Sequence, residues 1–216
     1  CDHNRNNARR LAIFDGFFRD FLKSFSNHIK ERDIILITEN HSCRKSYLYI
    51  KEKKEFPDVY YKDSEKMDIK DDDLKLIKHL SNNARIPLYK MAGKLSMTAE
   101  AIAHKIKQLE KKEIIQAFRP IINTSSLGYQ YYNVLFRLRK FNKTEEIFKF
   151  FKNHPNIIYF VKYLGNYDMG IDLEVKSSDE LRMILEEIKN SFSEDIESYI
   201  TILIYKEHKL SYFPEC

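Results

Sequence analysis

Tryptophan is missing from this chain of 216 residues, and glycine and proline number five each. So few glycines leave no Gly-rich loop to cradle a phosphate, and they exclude collagen-like or low-complexity composition. Cysteine is equally sparse. Cys1, Cys43 and Cys216 lie far apart, with no CxxC and no tight His/Cys cluster. That spacing argues against a structural zinc site and a disulfide scaffold and for a reducing, cytoplasmic compartment. No apolar run reaches the roughly 20 residues needed to span a membrane. Leu11–Phe25 is apolar, but Asp15, Arg19 and Asp20 interrupt it, so it is no signal-peptide core. The seven histidines are dispersed, and no Ser/His/Asp or Cys/His grouping emerges from spacing. Neither catalytic residues nor a metal or cofactor is therefore expected, and the chain is not expected to be an enzyme. It begins with Cys rather than Met, which fits a piece of something longer.

Charge is abundant and unevenly placed. Residues 1–70 carry 15 Lys/Arg against 12 Asp/Glu, residues 71–129 carry 10 against 6, and residues 130–216 carry 12 against 14. A basic middle on a near-neutral remainder suits a nucleic-acid binder.

In that middle segment, Asp71–Leu80 opens a helix. Three aspartates complement the positive end of its dipole, a simpler account of the cluster than metal binding, and Leu74, Ile77 and Leu80 form its apolar stripe. Pro87 suits the first position of a second helix burying Leu88, Met91, Ala92 and Leu95. Thr98 is the expected N-cap of a third, whose Ile102, Ile106 and Leu109 face inward. Glu100, His104, Lys107 and Lys111 then share the opposite, exposed face. Three short helices followed by an extended segment make a winged helix-turn-helix over 71–129, a shape that lays its third helix in the DNA major groove. On that helix (98–112), His104 and Lys107 are placed to enter the groove, with Lys105 on the flank and Lys111 near the backbone. Glu100 can accept from a cytosine amine, while Arg85 and Lys90 hold phosphates from around the second helix.

After Tyr131 the pattern runs strand, helix, strand, strand, helix, strand. Tyr132, Val134, Phe136 and Leu138 alternate, and Thr144 caps a helix with Ile147, Phe150 and Phe151. Ile157–Leu164 is a strand, Gly165-Asn166 a turn, and Met169, Ile171, Leu173 and Val175 alternate again. Ser177 and Ser178 cap a second helix, and Tyr199–Tyr205 closes the set. This is a ferredoxin-like βαββαβ order over 130–216. Asp172 and Glu174 alternate with the apolar face of their strand, so they are expected in solvent or at a sheet–sheet interface. Upstream, Phe14, Phe17, Phe18, Phe21 and Phe25 fall at helical spacing, Ile34–Ile37 is a short strand and Ser46–Ile50 another. Residues 51–70 read as a linker, ordered in part by Val59, Tyr60 and Tyr61.

An internal repeat ties the two ends together. Lys23–His41 matches Asn190–His208 without a gap at 8 of 19 positions, among them Phe25/Phe192, Ile29/Ile196, Leu36/Leu203, Ile37/Ile204 and His41/His208. Unrelated segments would share about one. Residues 1–50 are therefore expected to hold the closing helix and strand of an earlier copy of the 130–216 domain, its first half missing.

Residues 68–210 resemble the Lrp/AsnC (leucine-responsive, feast-famine) transcription regulators. The resemblance is carried by NARIPLYKMA, by HKIKQLEKKEII and by the Gly-x-Tyr-Asp turn at Gly165, Tyr167 and Asp168. It implies an α+β chain of tandem type, truncated at its N-terminus: a winged head on double-stranded DNA and a ferredoxin-like body, called RAM in the family. It also implies a homo-oligomer, with an amino-acid effector at Gly165, Asn166, Tyr167 and Asp168 between subunits. Two glycines usual in the family, before and after the recognition helix, are Ser96 and Glu113 here. Two rival expectations use the same architecture. One is a tetrapyrrole enzyme resembling sirohaem decarboxylases, recruiting His104, His154 and Arg137. The other is a RAM-type assembly or sensor module that does not bind DNA.

Overall fold

A computed structural model describes residues 15–43, 45–48, 59–61, 68–208 and 213. The chain divides into two units, Cys1–Ile35 and Leu36–Cys216. In the first, a helix (α1) covers residues 15–25 and ends in a 3-10 turn, Ser26–His28. Asp15 and Arg19 pair one turn apart at 2.8 Å, and Phe21 and Phe25 lie ring to ring at 4.9 Å. Its aromatic stripe is open, with Phe17 71% exposed. Phe14 lies outside the described residues.

The second unit is built on a six-stranded sheet. Its strands are β1 (Ile35–Ser42), β2 (Val59–Tyr61), β3 (Gln130–Leu138), β4 (Ile157–Gly165), β5 (Met169–Val175) and β6 (Ile196–Ile204), in the order β2-β1-β4-β5-β3-β6. β1 is longer than the expected Ile34–Ile37 because its second half finds partners on β4. Thr38 Oγ1 donates to the Lys162 carbonyl at 3.2 Å, Glu39 meets Lys162 Nζ at 2.8 Å, and His41 stacks on Phe160 at 4.3 Å. The expected strand Ser46–Ile50 is instead a 3-10 turn, Ser46–Leu48, with residues 49 and 50 outside the described set. The Leu48 N–H closes that turn on the Lys45 carbonyl, which lets Lys45 and Tyr47 converge on one carboxylate, Glu174. The stretch expected as a linker contains β2, antiparallel to residues 40–42 of β1.

Three helices follow: α2 (Asp71–Asn82), α3 (Leu88–Leu95) and α4 (Ala99–Lys111). They enclose a core of Leu76, Leu80, Met91, Ile102 and Leu109, flanked by partly buried Ile77, Leu88, Ala92, Leu95 and Ile106. The stripe on α2 is centred on Leu76, wholly buried, whereas Leu74 is 37% exposed. Leu76 and Leu80 lie one turn apart over the core, and Leu74, two residues before Leu76, projects away from it. Five such side chains are a small core, each worth about 1.5–3 kcal/mol when fully buried. Thr98 caps α4, its Oγ1 accepting the Ala101 N–H at 3.1 Å. Pro87 sits one position before α3, as its N-cap.

The two family-glycine positions carry the backbone conformation that favours glycine. Ser96 has φ 54° and Glu113 φ 56°. Each closes a helix from the left-handed region: Met97 N–H reaches back to the Ala92 carbonyl, and Ile114 N–H to that of Leu109. The turns are thus kept although the side chains there strain them. Residues 116–123, where a wing was expected, carry no strand.

Beyond Gln130, β3, α5 (Thr144–Asn153), β4, β5, α6 (Ser178–Phe192) and β6 run in the expected strand and helix order. β5 pairs antiparallel with β4 and β3, and β3 with β6. Val134, Phe136, Leu138, Phe160, Met169, Ile171, Leu173 and Val175 share one core with Ile147, Phe148 and Phe151 of α5 and Leu181, Ile184, Ile188 and Phe192 of α6. Ser177 caps α6, its Oγ accepting the Glu180 N–H. Lys143, not Thr144, is the N-cap of α5; Thr144 Oγ1 instead donates to the Phe141 carbonyl at 2.7 Å. β6 starts three residues before the expected Tyr199 and stops at Ile204.

Candidate nucleic-acid interface and effector turn

Because Ile102 and Leu109 are buried and Ile106 half-buried, the opposite side of α4 is left to solvent. Glu100, His104, Lys107 and Lys111 are all exposed there, with Thr98 at the helix start. Gln108 joins them one turn beyond His104, which the same 100° periodicity marks. Its side-chain amide is the type that reads adenine N6/N7 in pairs of hydrogen bonds. Arg85 and Lys90 are exposed around α3, the Arg85 backbone N–H held by Asn83 Oδ1 at 3.0 Å. Lys105 differs from its neighbours. Its Nζ meets Asp73 Oδ1 at 2.5 Å, with both side chains about one-fifth exposed, so it braces α4 against the start of α2. The face is a cationic and amide surface with one carboxylate, suited to phosphates at its edges and base edges at its centre.

The Gly165–Asp168 turn joins β4 to β5 and leans on β3. Gly165 has φ 145°, open to glycine alone at low cost. Asp168 N–H donates to the Phe136 carbonyl at 3.0 Å, while its Oδ2 accepts the Leu138 N–H at 2.7 Å. The carboxylate therefore bridges the register shift at Arg137/Leu138 rather than only its own turn. Arg137 Nε donates to the Asn166 carbonyl at 3.1 Å. Asn166 is exposed, and Tyr167 is half-buried.

Both acidic residues of β5 depart from a solvent-facing placement. Asp172 accepts from Tyr131 Oη at 2.8 Å and Asn133 Nδ2 at 2.5 Å, and burial holds its carboxyl above the usual range despite those two donors. Burial raises the Tyr131 phenol as well, reinforced by the Asp172 charge. Glu174, only 3% exposed, is buried under the segment that follows β1. Lys45 Nζ reaches both its oxygens at 2.7 and 2.8 Å, Thr124 Oγ1 donates at 2.6 Å, and Tyr47 Oη adds a further bond. Periodicity could not find this knot, because its members lie 50 to 129 residues from Glu174.

The three residues of the tetrapyrrole rival stand on separate elements. His104 is on α4, Arg137 at the end of β3 and His154 just past α5, where burial lowers its imidazole and Glu187 lies 3.8 Å away. Among the described residues, no helix is long and apolar enough to cross a membrane.

A three-helix head with an open polar face on its third helix, carried by an antiparallel sheet body, is the build of an HTH-type regulator. No family model matches the chain. The HTH-type transcriptional regulator FL11 of Pyrococcus furiosus is 27% identical over 139 residues, covering 64% of this chain and 91% of that protein. AsnC of E. coli superimposes with a TM-score of 0.60 at 19% identity, over 67% of this chain and 97% of AsnC. A transcriptional regulator of Neisseria meningitidis, solved with L-Met, gives 0.62 at 14%, over 68% and 97%. The chain is thus similar to HTH-type transcriptional regulators, and its fold is that of the regulators AsnC, LrpC and LrpA.

Proposed function

We propose that this chain is a DNA-binding transcription regulator acting in the cytoplasm. Its winged helix-turn-helix head (71–129) reads duplex DNA with α4. Its ferredoxin-like, RAM-type body (130–216) assembles homo-oligomers and binds a small molecule of the amino-acid class, with Gly165, Asn166, Tyr167 and Asp168 at the effector site. Residues 1–50 are the helix–strand remnant of an upstream body, and 51–70 connect them to the head. The observation that carries the DNA reading is the exposed row Glu100, His104, Lys107, Gln108 and Lys111, opposite the buried Ile102 and Leu109. The effector reading is supported by the L-Met bound to the Neisseria neighbour and by the exposed Asn166 of the turn.

Lys107→Ala with Lys111→Ala tests the first reading without touching the head core. Each lost phosphate contact is expected to flatten the slope of log affinity against log salt by about 0.9. Mobility shifts on the protein's own upstream DNA at two salt concentrations measure it. An unchanged slope and affinity in the double variant would remove α4 from the interface. Lys105→Ala is a poorer probe, because it also releases Asp73.

A further inference from the structure

The repeat aligns the segment after β6 with the strand that caps β4. Ile202, Leu203 and Ile204 match Ile35, Leu36 and Ile37, so Tyr205, Lys206, Glu207 and His208 fall on Thr38, Glu39, Asn40 and His41. The two stretches behave differently. Residues 38–41 are strand on the edge of β4. Residues 205–208 follow the last paired residue of β6, carry no strand and are exposed, Tyr205 by 94%. In one copy of the repeat the segment has a β4 edge to lie on, and in the other it has none.

We propose that residues 205–208 are a donor strand for the β4-type edge of another body of this fold, docking as residues 38–41 dock here. Charge decides which body. Glu39 pairs with Lys162 at 2.8 Å, but the equivalent of Glu39 is Lys206. A second copy of this chain would set Lys206 against Lys162 and would already hold its own β1 on that edge. The partner is therefore a body with a carboxylate where this one has Lys162. It also carries an aromatic ring in place of Phe160, because His208 repeats the His41 that stacks there. Main-chain pairing supplies the affinity, and the charge at position 162 selects the partner.

The test builds that partner from the chain itself. An acceptor carries Lys162→Glu to supply the carboxylate, Asn40→Pro to break its own β1, and Lys206→Glu so that it cannot donate to itself. The donor is the unaltered full chain, labelled and followed by sedimentation. A one-to-one complex is expected beyond the mass of either protein alone. Binding should fall at least tenfold when the acceptor keeps Lys162, and equally when the donor carries Lys206→Glu. No complex with a folded acceptor, or a complex indifferent to residues 162 and 206, overturns the proposal. If the acceptor does not fold, a graft in cis decides. The chain with Thr38→Tyr, Glu39→Lys and Asn40→Glu, made with Lys162→Glu, should melt close to the unaltered protein and well above the same graft on Lys162. Equal melting of the two grafts also overturns it, as does a Lys162→Glu graft no more stable than the chain whose β1 is broken by Asn40→Pro.

Discussion

Glu174 stands at a strand position that alternation assigns to water or to a sheet–sheet interface, and three donors from distant segments enclose it. Removing one of them leaves a buried charge short of a partner, which costs more than the pair is worth. Lys45→Met is expected to destabilise the second unit by about 2–3 kcal/mol, below the range for a wholly buried pair because Lys45 keeps a side toward water. Adding Glu174→Gln should recover part of that loss. Urea midpoints of the two variants measure both effects.

Asp172 yields a pH expectation with a definite sign. Its folded-state pKa is raised by burial above the ordinary 3.8, so the folded protein holds more protons than the unfolded one just above that value. Stability then declines as pH rises from about 3.8 through the folded pKa. Asp172→Asn should remove that falling component, so that the acid limb of the variant's stability–pH profile rises more steeply than that of the unaltered protein. An unchanged limb would mean that another group titrates there.

At the scale of the element, the turns around α4 hold their shape against the preferences of their residues. Serine and glutamate in the left-handed region cost about 1 kcal/mol each relative to glycine. Ser96→Gly and Glu113→Gly should each raise the melting temperature of the head, and together nearly add, since they close different helices. Loss of stability in either variant would contradict the strain. The opposite case lies in β5. A Cβ on Gly170 would stand 2.7 Å from the Tyr163 ring and 3.1 Å from Leu135. Gly170→Ala is expected to cost about 1–3 kcal/mol through overpacking, read as a lowered denaturant midpoint.

Among the described residues of the whole molecule, two buried clusters stand apart, one of five side chains in the head and one of seventeen, sixteen of them in the body with Cys43 from just past the end of β1. Units with separate cores open with their own free energies. Met91→Ala, at the centre of the smaller core, should cost about 2–5 kcal/mol there and melt the head ahead of the body. Calorimetry should show the lower transition moving and the upper one staying. A single transition that shifts as a whole would mean that the two cores unfold together. The sheet body is also where assembly and effector binding are proposed, so head-melted protein should keep its oligomeric mass in sedimentation.

Periodicity alone made much of this legible. Helical spacing marked all three head helices, and Ile102, Ile106 and Leu109 were enough to name the open face of α4. Period-two alternation marked β3 and β5, and the serine at position 177 marked the start of α6. These features are local, set by which face of a helix or strand is apolar. On α2 the stripe centres on Leu76 rather than Leu74, because two leucines two residues apart leave the centre of a helical stripe undecided until a neighbour packs on it. Only the tertiary structure decided what depends on partners far along the chain. It seated β1 on β4, bound Lys105 to Asp73 and turned Glu174 inward beneath Lys45 and Tyr47. A side chain's periodic position says which way it points, and the segment that meets it there determines whether it is solvated, paired or buried.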